Sequence, residues 1–379
     1  MNKRLLFRAG TAIVALLGAA ATAWFLSLPP TADAATPQPV PAAERTAALG
    51  ALKPVEGRRP LIAVIGINDA TEITDYLMTY GILRRANVAD VVLLSTQPGP
   101  VKLFPALKVE AQATIAQFDR QHIAGADYVI VPQMSRADDP AVMKWLNAQS
   151  AKGAKIIGIC AGARIVAAAG LLDGKQATTH WYYLDEMLGN HPSIRYIPDR
   201  RLVVDGGVAT TTGITASMPM MLTLIEAIAG QEKATAVARD LGVATWDARH
   251  ASSAFRLTRP FVLAVVGNRA RFWKHEQLGI RLRPGMDEVS LALVADAWSR
   301  TYRSNALTFA DSAAAVPSKN GIGIIPDRLA ADAPNQRLPH SAVDRPPALA
   351  LDQALGQIGA RYGRQTERLV AMQLEYPRP

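Results

Sequence analysis

The sequence predicts an α/β fold in which a parallel sheet is covered by helices on both faces. Short apolar runs typical of buried strands, at residues 61–66, 90–95 and 127–131, alternate with longer segments of helical periodicity. A further run at 155–159, rich in isoleucine, turns at Cys160 into an alanine-rich segment. Sheets of this kind place their sites at the carboxyl ends of the strands, and Cys160 directly follows one.

Length and composition indicate one large domain or two. The chain has 379 residues, of which 49% are hydrophobic and 19% charged, so it is not disordered overall. A single cysteine excludes an intramolecular disulfide, and the cysteine count neither supports nor excludes an oxidising compartment. We interpret the net charge of +9 as a solvated surface, and we expect no nucleic-acid partner.

The N-terminus, residues 1–34, predicts a signal peptide or an N-terminal membrane anchor. Lys3, Arg4 and Arg8 precede an uncharged apolar run over residues 9–28, and Ala32-Asp33-Ala34 has the small-x-small pattern of a cleavage site. The run is just long enough to span a bilayer, so both cleavage and retention stay open. We therefore expect an exported protein, periplasmic or anchored in the inner membrane.

Residues 35–60 are rich in proline and alanine, which predicts an extended linker before a domain over 61–245. Within that domain, each element has its own signal. Apolar runs predict the strands, an acidic start predicts the first helix, Pro140 predicts the first turn of another, and Asp205-Gly206-Gly207 predicts a hairpin turn. In chain order we expect a strand at 61–66, a helix at 75–87, strands at 90–95 and 127–131, a helix at 140–150, the strand at 155–159 and a hairpin of 202–204 with 208–212.

Cys160 is the candidate nucleophile. At a strand-to-helix turn, the first N–H groups of the new helix point towards the side chain and lower the pKa of a thiol. The alternative is that a lone cysteine is a small buried hydrophobic residue.

Four blocks, in order and spacing, resemble the ThiJ/PfpI superfamily. The resemblance covers about half of the chain and implies the flavodoxin-like parallel sheet of class I glutamine amidotransferase-like proteins. The most similar branches are the amidase-like domain of AraC/GlxA-type regulators and isocyanide hydratase. The blocks are Asp75 at a helix start, Ile159-Cys160-Ala161-Gly162-Ala163, residues 170–174 with 177–181, and residues 211–214 with 222–230.

The resemblance implies further site residues. Asp75 matches the family carboxylate that shares or shuttles a proton with the cysteine, a role that requires a pKa raised by burial. Glu72 is its rival, and a plain first-turn helix acid is the alternative for Asp75. His180, in a Thr-Thr-His context, matches an imidazole that lies near the cysteine and acts as acid or base; a structural histidine is the alternative.

Two departures from the family pattern bear on the reaction. Ala161 stands where the protease-like branch has histidine, which disfavours peptidase activity. Pro132-Gln133-Met134 replaces a Pro-Gly-Gly loop that supplies an oxyanion N–H, and Gln133 is expected to substitute through its side-chain amide. The predicted oxyanion and substrate contacts are thus Ala161, Gly162 and Gln133. No metal-ligand cluster and no cofactor motif is present in the sequence.

Residues 255–379 are predicted to be a degenerate companion domain. It lacks a counterpart of the strand-to-helix turn that carries Cys160, which we call the elbow. Five residues recur at a constant offset, although helical periodicity alone is an alternative explanation. We expect a strand at 261–266 and an acidic helix start at 285–288, while 327–347 is polar and proline-rich. The matched pairs are Leu222 with Leu355, Ile225 with Ile358, Gly230 with Gly363, Val237 with Val370, and Ala238 with Ala371.

Two functions follow as hypotheses. The first is a cysteine-dependent hydrolase or hydratase of a small electrophile, which predicts a thiol pKa well below the ~8.5 of free cysteine. The second is a non-catalytic ligand-binding or redox-sensing module, related to the regulator branch but without its DNA-binding domain. A small-molecule ligand is expected in both, a homodimer is possible in principle, and the N-terminal segment is the expected membrane contact.

Overall fold

The computed structural model describes residues 16–31 and 36–376. The basic residues at the N-terminus and the Ala32-Asp33-Ala34 pattern lie outside the described residues, as does the first part of the apolar run. Residues 16–27 form a helix, α1. Within the described part of the chain, no helix is both long and apolar enough to cross a membrane.

The main sheet has seven strands in the order β11-β12-β8-β7-β1-β3-β6. All neighbouring pairs are parallel except β11 and β12, which form the predicted hairpin with Asp205 opposite Val208. This confirms the predicted α/β class and most of the predicted strands. The strands are β1 Leu61–Gly66, β3 Asp90–Ser95, β6 Ala113–Thr114, β7 Tyr128–Val131, β8 Lys155–Gly158, β11 Leu202–Asp205 and β12 Val208–Thr211.

Helices cover both faces of this sheet. Alternate residues of one strand enter different apolar clusters: Val64 packs with the larger cluster and Ile65 with the smaller one on the other face. The flavodoxin-like layering is therefore confirmed. The helices of this half are α2 Ala42–Leu52, α3 Ile73–Ala86, α4 Ile115–Gln121, α5 Pro140–Ala151, α6 Gly162–Ala168, α7 Leu184–Asn190 and α8 Ser217–Leu241.

The predicted extended linker contains helix α2, so that prediction is wrong for residues 42–52. Pro41 precedes an alanine-rich run that favours a helix. The helix packs on the body because Leu52 is buried and Arg45 pairs with Glu226 at 2.6 Å.

The C-terminal half contains a second, smaller parallel sheet in the order β17-β14-β13-β18. The predicted strand at 261–266 is wrong. These residues lie inside a helix because Thr258 caps its start, accepting from the Phe261 N–H at 3.3 Å, and Pro260 occupies the first turn. The elements are α9 Arg259–Arg269, β13 Glu276–Arg281, α10 Glu288–Ser299, β14 Ser304–Ala310, β17 Arg328–Leu329, β18 Gln336–Arg337, α11 Pro347–Tyr362 and α12 Arg364–Gln373.

Two glycines of the predicted repeat have the same backbone conformation. Gly230 interrupts α8 with φ 86° and ψ 166°, and Gly363 separates α11 from α12 with φ 91° and ψ 157°. A side chain is strained at such positive φ values, so glycine is needed at both kinks. The boundaries and the degenerate origin of the second domain stay a prediction.

The two halves share one core and one mixed sheet. Helices α3 and α10 pack together, and the largest apolar cluster includes residues from both halves. In a five-stranded sheet, Ile324 of the second half pairs antiparallel with Val109 of the first. The order of this sheet is β15-β16-β5-β4-β2, with β15 Val316–Pro317, β16 Gly323–Ile325, β5 Lys108–Glu110, β4 Pro100–Phe104 and β2 Thr71–Glu72; a separate pair joins β9 Gln176–Ala177 to β10 Arg195–Tyr196.

Candidate functional site

Cys160 lies between the end of β8 and the start of α6 and has a φ of 56°. A positive φ costs a residue other than glycine about 1–3 kcal/mol, so surrounding contacts must hold it. Its backbone N–H donates to Thr211 Oγ1 at 2.9 Å, and its carbonyl accepts from Thr179 Oγ1 at 3.1 Å. The turn is therefore fixed by two threonines from the predicted family blocks.

Gly162 allows the elbow to approach the neighbouring strand. A Cβ at this position would lie 2.0 Å from the carbonyl oxygen of Val131. The Gly162 N–H donates to the carbonyl of Ile159 at 2.7 Å. The expected oxyanion contact from Gly162 is thus not available in this arrangement, because its donor is already used by the turn itself.

Asp75 is fully buried near Cys160, at the start of α3. Its Oδ2 accepts from the Gln133 N–H at 3.0 Å, while its Oδ1 is buried without a hydrogen-bond partner in the described part of the chain. Burial is the main cause that raises the pKa of this carboxyl well above its ordinary value, and the negative charge of Glu72 adds to it. The Gln133 hydrogen bond and Arg300 oppose the rise in pKa.

Glu72 lines the cavity, and both of its carboxylate oxygens have hydrogen-bond partners. One carboxylate oxygen accepts from the Asp75 N–H and from Thr74 Oγ1, both at 2.7 Å, and thereby caps α3. The other oxygen accepts from Arg300 at 2.8 Å. The free carboxyl oxygen in this pair of acids therefore belongs to Asp75.

Gln133 closes the loop after β7 onto the start of α3. Its carbonyl accepts from the Glu72 N–H at 2.8 Å, and its side-chain amide donates to the Met134 carbonyl at 2.7 Å. Its own N–H goes to Asp75 rather than towards a substrate. The expected oxyanion role of Gln133 is therefore not formed here, since its backbone N–H and its side-chain amide both donate to acceptors within the protein.

His180 lines the same cavity as Cys160, but both of its ring nitrogens are occupied by the backbone. Its Nε2 donates to the Gln373 carbonyl at 3.0 Å, and its Nδ1 accepts from the Tyr182 N–H at 3.2 Å. Burial lowers the pKa of this imidazole and outweighs the negative charge of Glu375. These bonds assign His180 a positioning role and leave no ring nitrogen for the predicted acid–base exchange with Cys160.

The thiol of Cys160 is 4% exposed, and burial raises its pKa well above the usual range. The negative charges of Asp75, Glu72 and Glu375 raise the pKa further, and a hydrogen bond from the Ala161 N–H opposes them. The expectation of a lowered thiol pKa is wrong, because the N-terminus of a short helix is outweighed by burial and three carboxylates.

Ala161 is the one predicted oxyanion contact whose N–H faces the thiol. It lines the cavity together with Cys160, so this donor lies where charge develops on sulfur or on a bound substrate.

Two residues of the C-terminal half that sequence reasoning missed complete the site. Arg300 joins Glu72 to the buried Asp296, at 2.8 and 2.6 Å, and burial raises the Asp296 pKa to about 8. Glu375 is 3% exposed and accepts from the N–H groups of Trp181 and Gly213 at 2.6 and 2.7 Å. The partners of Glu375 in those two bonds are 194 and 162 residues away in the sequence. The sequence around Glu375 therefore gives no local signal of its role.

A cavity of about 760 Å³ opens at the elbow. Its wall is partly aromatic, with Tyr182, Tyr183 and an edge-to-face pair of Trp181 and Phe261 whose ring centroids are 5.7 Å apart. A second cavity of about 720 Å³ lies beside Val40 and is not lined by Cys160. No group of three metal-binding side chains is found among the described residues.

Residues 62–227 match the DJ-1/PfpI family. The chain is 37% identical over 101 residues to isonitrile hydratase of Pseudomonas putida and 30% identical over 146 residues to the HTH-type transcriptional regulator CdhR of Pseudomonas aeruginosa. These alignments cover 26% and 38% of this chain, and each spans only 42% of the relative.

A third relative, protein dj-1beta of Drosophila melanogaster, is 25% identical over 187 residues, which are 48% of this chain and 97% of that protein. The crystal structure of Drosophila melanogaster DJ-1beta superposes on this chain with a TM-score of 0.45 and 25% sequence identity. The superposition covers 50% of this chain and 100% of that one.

Proposed function

We propose, from the premise that residues 62–227 belong to the DJ-1/PfpI family, that this chain is a cysteine-dependent hydratase or hydrolase of a small uncharged electrophile. The observation that carries the proposal is the pair formed by the Cys160 thiol and the Asp75 carboxyl, whose Oδ1 is buried without a partner among the described residues. A nucleophile in the cavity wall is thus paired with a fully buried proton-transfer group whose charge acts on its thiol.

Asp75 supplies the proton transfer that a buried thiol needs. A carboxyl whose pKa is raised by burial holds a proton more readily than an ordinary carboxyl and can pass it on. Since the pKa of the thiol is also raised, attack requires that the proton leave sulfur as the new bond forms. Asp75 is the candidate to receive it, because its charge affects the thiol most among the three neighbouring carboxylates.

The steps can be written for an isonitrile-like carbon. Cys160 Sγ bonds to the terminal carbon, and the thiol proton passes through Asp75 to the substrate, which gives a thioimidate. Water then adds to that carbon, and the carbon–sulfur bond breaks to return the thiol and release an N-substituted formamide. The Ala161 N–H stabilises negative charge on sulfur during both steps.

The cavity favours an uncharged apolar substrate. Trp181, Tyr182 and Phe261 provide apolar area, and two of the three arginines that line the cavity are ion-paired, while the third, Arg269, stacks over Tyr302. Arg300 is held by Glu72 and Asp296, and Arg164 is held by Glu186 and stacks over Tyr183.

A ligand-binding module is the second candidate, and the hydrogen bonds of the loop favour it. Two of the three expected oxyanion donors are used internally, which leaves Ala161 as the N–H aimed at the thiol. The relative CdhR carries the name of a transcriptional regulator. Redox sensing is the weaker form of this proposal, because oxidation favours an exposed thiolate and Cys160 is buried with a raised pKa.

Three proposals rest chiefly on the sequence. One is export, to the periplasm or with an inner-membrane anchor. The second is a homodimer. The third is that residues 255–379 form a companion domain, supported by the matching kinks at Gly230 and Gly363.

The catalytic proposal is tested with a neutral alkyl isonitrile, an aldehyde and a primary amide of similar size. We expect turnover of at least one by the full chain, and a loss of about 100-fold or more in both Cys160→Ala and Asp75→Asn. Glu56→Gln, a matched carboxylate change at an exposed site, should keep full activity.

Product is measured by nuclear magnetic resonance, and a Cys160 adduct is measured by mass spectrometry. Binding of a probe with equal affinity to the wild type and to Cys160→Ala, with no turnover of any probe, would overturn catalysis in favour of the ligand-binding module.

A further inference from the structure

Helix α9 and the turn that follows it carry large apolar side chains into solvent. Leu263 and Val266 are 59% and 58% exposed, and Phe272 and Trp273 are 75% and 67% exposed. We call these four residues the α9 face. A helix on the surface of a domain normally directs such side chains inward, so several large exposed apolar side chains on one helix and its following turn indicate an interaction site.

The segment that carries the α9 face is basic. No aspartate or glutamate lies between Asp247 and Glu276, while exposed Arg269, Arg271 and Lys274 flank the two aromatic residues. Apolar and aromatic residues beside basic ones are the pattern of segments that lie in the interface of anionic bilayers.

The N-terminal apolar segment ends at this same helix. The carbonyl of Pro29 accepts from the Arg259 N–H at 3.1 Å, and the carbonyl of Leu26 accepts from the Arg259 guanidinium at 2.5 Å. Helix α1 leaves Leu16, Leu17 and Trp24 exposed. Helix α1, the described part of the uncharged run, is therefore followed by a segment that is held at the start of α9.

We propose that the α9 face docks on the surface of an anionic lipid bilayer, with Phe272 and Trp273 at the headgroup level. Charge complementarity and continuity with the apolar N-terminal run select lipid over a protein partner. Phe261 and Val262 of the same helix, with Trp24 of α1, line the Cys160 cavity. Docking therefore turns the cavity mouth towards the membrane, whether or not Cys160 reacts.

The experiment uses the absence of any other cysteine in the chain. In a Cys160→Ser background, full-length protein receives a single spin label at Phe272→Cys or Val266→Cys. The matched control is Ile123→Cys, which is 81% exposed and lies before the amino end of β7, at the edge of the sheet opposite the elbow. Vesicles contain phosphatidylcholine with or without phosphatidylglycerol.

With phosphatidylglycerol, we expect the accessibility of the label at 272 to an aqueous nickel chelate to fall at least about tenfold, with a rise in oxygen relaxation, while the label at 123 stays accessible. Arg271→Glu with Lys274→Glu should abolish this protection. The proposal is overturned if labels at 266 and 272 stay as accessible as the label at 123, or if protection is unchanged without phosphatidylglycerol. It is also overturned if labels at 272 couple to each other without vesicles, because that result would assign the face to a second copy of the chain.

Discussion

The Cys160 thiol is buried within reach of three carboxylates, and this sets its reactivity. Asp75, Glu72 and Glu375 each raise its pKa, so we expect iodoacetamide alkylation to rise with pH and to give an apparent pKa above the ~8.5 of free cysteine. Asp75→Asn keeps the shape and removes one negative charge, so the apparent pKa should fall. The measurement is the alkylation rate against pH, followed by mass spectrometry.

Glu56→Gln is the control for this prediction because it removes an exposed carboxylate elsewhere on the chain. It should leave the apparent pKa of Cys160 unchanged. A wild-type value below that of free cysteine, or an unchanged value in Asp75→Asn, would contradict the electrostatic explanation.

At the scale of single residues, the sequence identified Cys160 and Asp75 as site candidates but did not predict their surroundings. Cys160 and Asp75 were identifiable because each lies at an element boundary that its neighbours define. Arg300 and Glu375 reach the site only through tertiary packing, across hundreds of residues. The direction of the shift in the thiol pKa depends on burial and on these distant charges. Reasoning from the helix N-terminus alone therefore predicted the wrong direction.

Among the elements, the elbow between β8 and α6 depends on the missing side chain of Gly162. Gly162→Ala would place a Cβ 2.0 Å from the Val131 carbonyl, so β7 and α6 must separate. We expect a loss of about 1–3 kcal/mol in the free energy of unfolding, measured by denaturant titration. The displaced elbow should also alkylate faster, because Cys160 loses its burial.

Gly189→Ala, in helix α7, is the control for this change. A Cβ there meets no atom within 4 Å, so alanine should be neutral or slightly stabilising. Equal stability of Gly162→Ala and the wild type would show that the elbow tolerates a side chain.

A helix or strand was predictable where the length of its apolar pattern and its capping residues indicated the same element. Its type was uncertain where the sequence offered only a short apolar run. Helix α3 has a capping acid at its start and a left-handed Asn87 at its end, and it lies within two residues of its predicted bounds. Residues 261–266 are equally apolar and form a helix, because Thr258 and Pro260 decide the outcome from outside the run. Periodicity over six residues cannot separate the two states.

For the molecule as a whole, two ion pairs join the halves in a reciprocal way. Glu72 caps α3 and pairs with Arg300 at the end of α10, while Asp287 caps α10 and pairs with Arg85 at the end of α3. Each helix thus ends beside the start of the other, and each pair links an acid at one helix N-terminus with a base at the other C-terminus, in agreement with both helix dipoles. The C-terminal half thereby completes the site of the first.

The contribution of this coupling is testable at Arg300. Arg300→Met leaves Glu72 and Asp296 buried without their cation, since their side chains are only 5% and 0% exposed, and we expect a loss of about 3–5 kcal/mol in the free energy of unfolding. Adding Asp296→Asn should restore part of that loss. Without Arg300 the buried Asp296 carboxyl, whose pKa is already raised to about 8, must take up a proton, whereas a buried amide needs neither a cation nor a proton. Arg59→Met breaks an exposed pair with Asp90 and should cost about 1 kcal/mol or less. Equal losses at positions 59 and 300 would mean that the interface between the halves does not depend on the buried arginine.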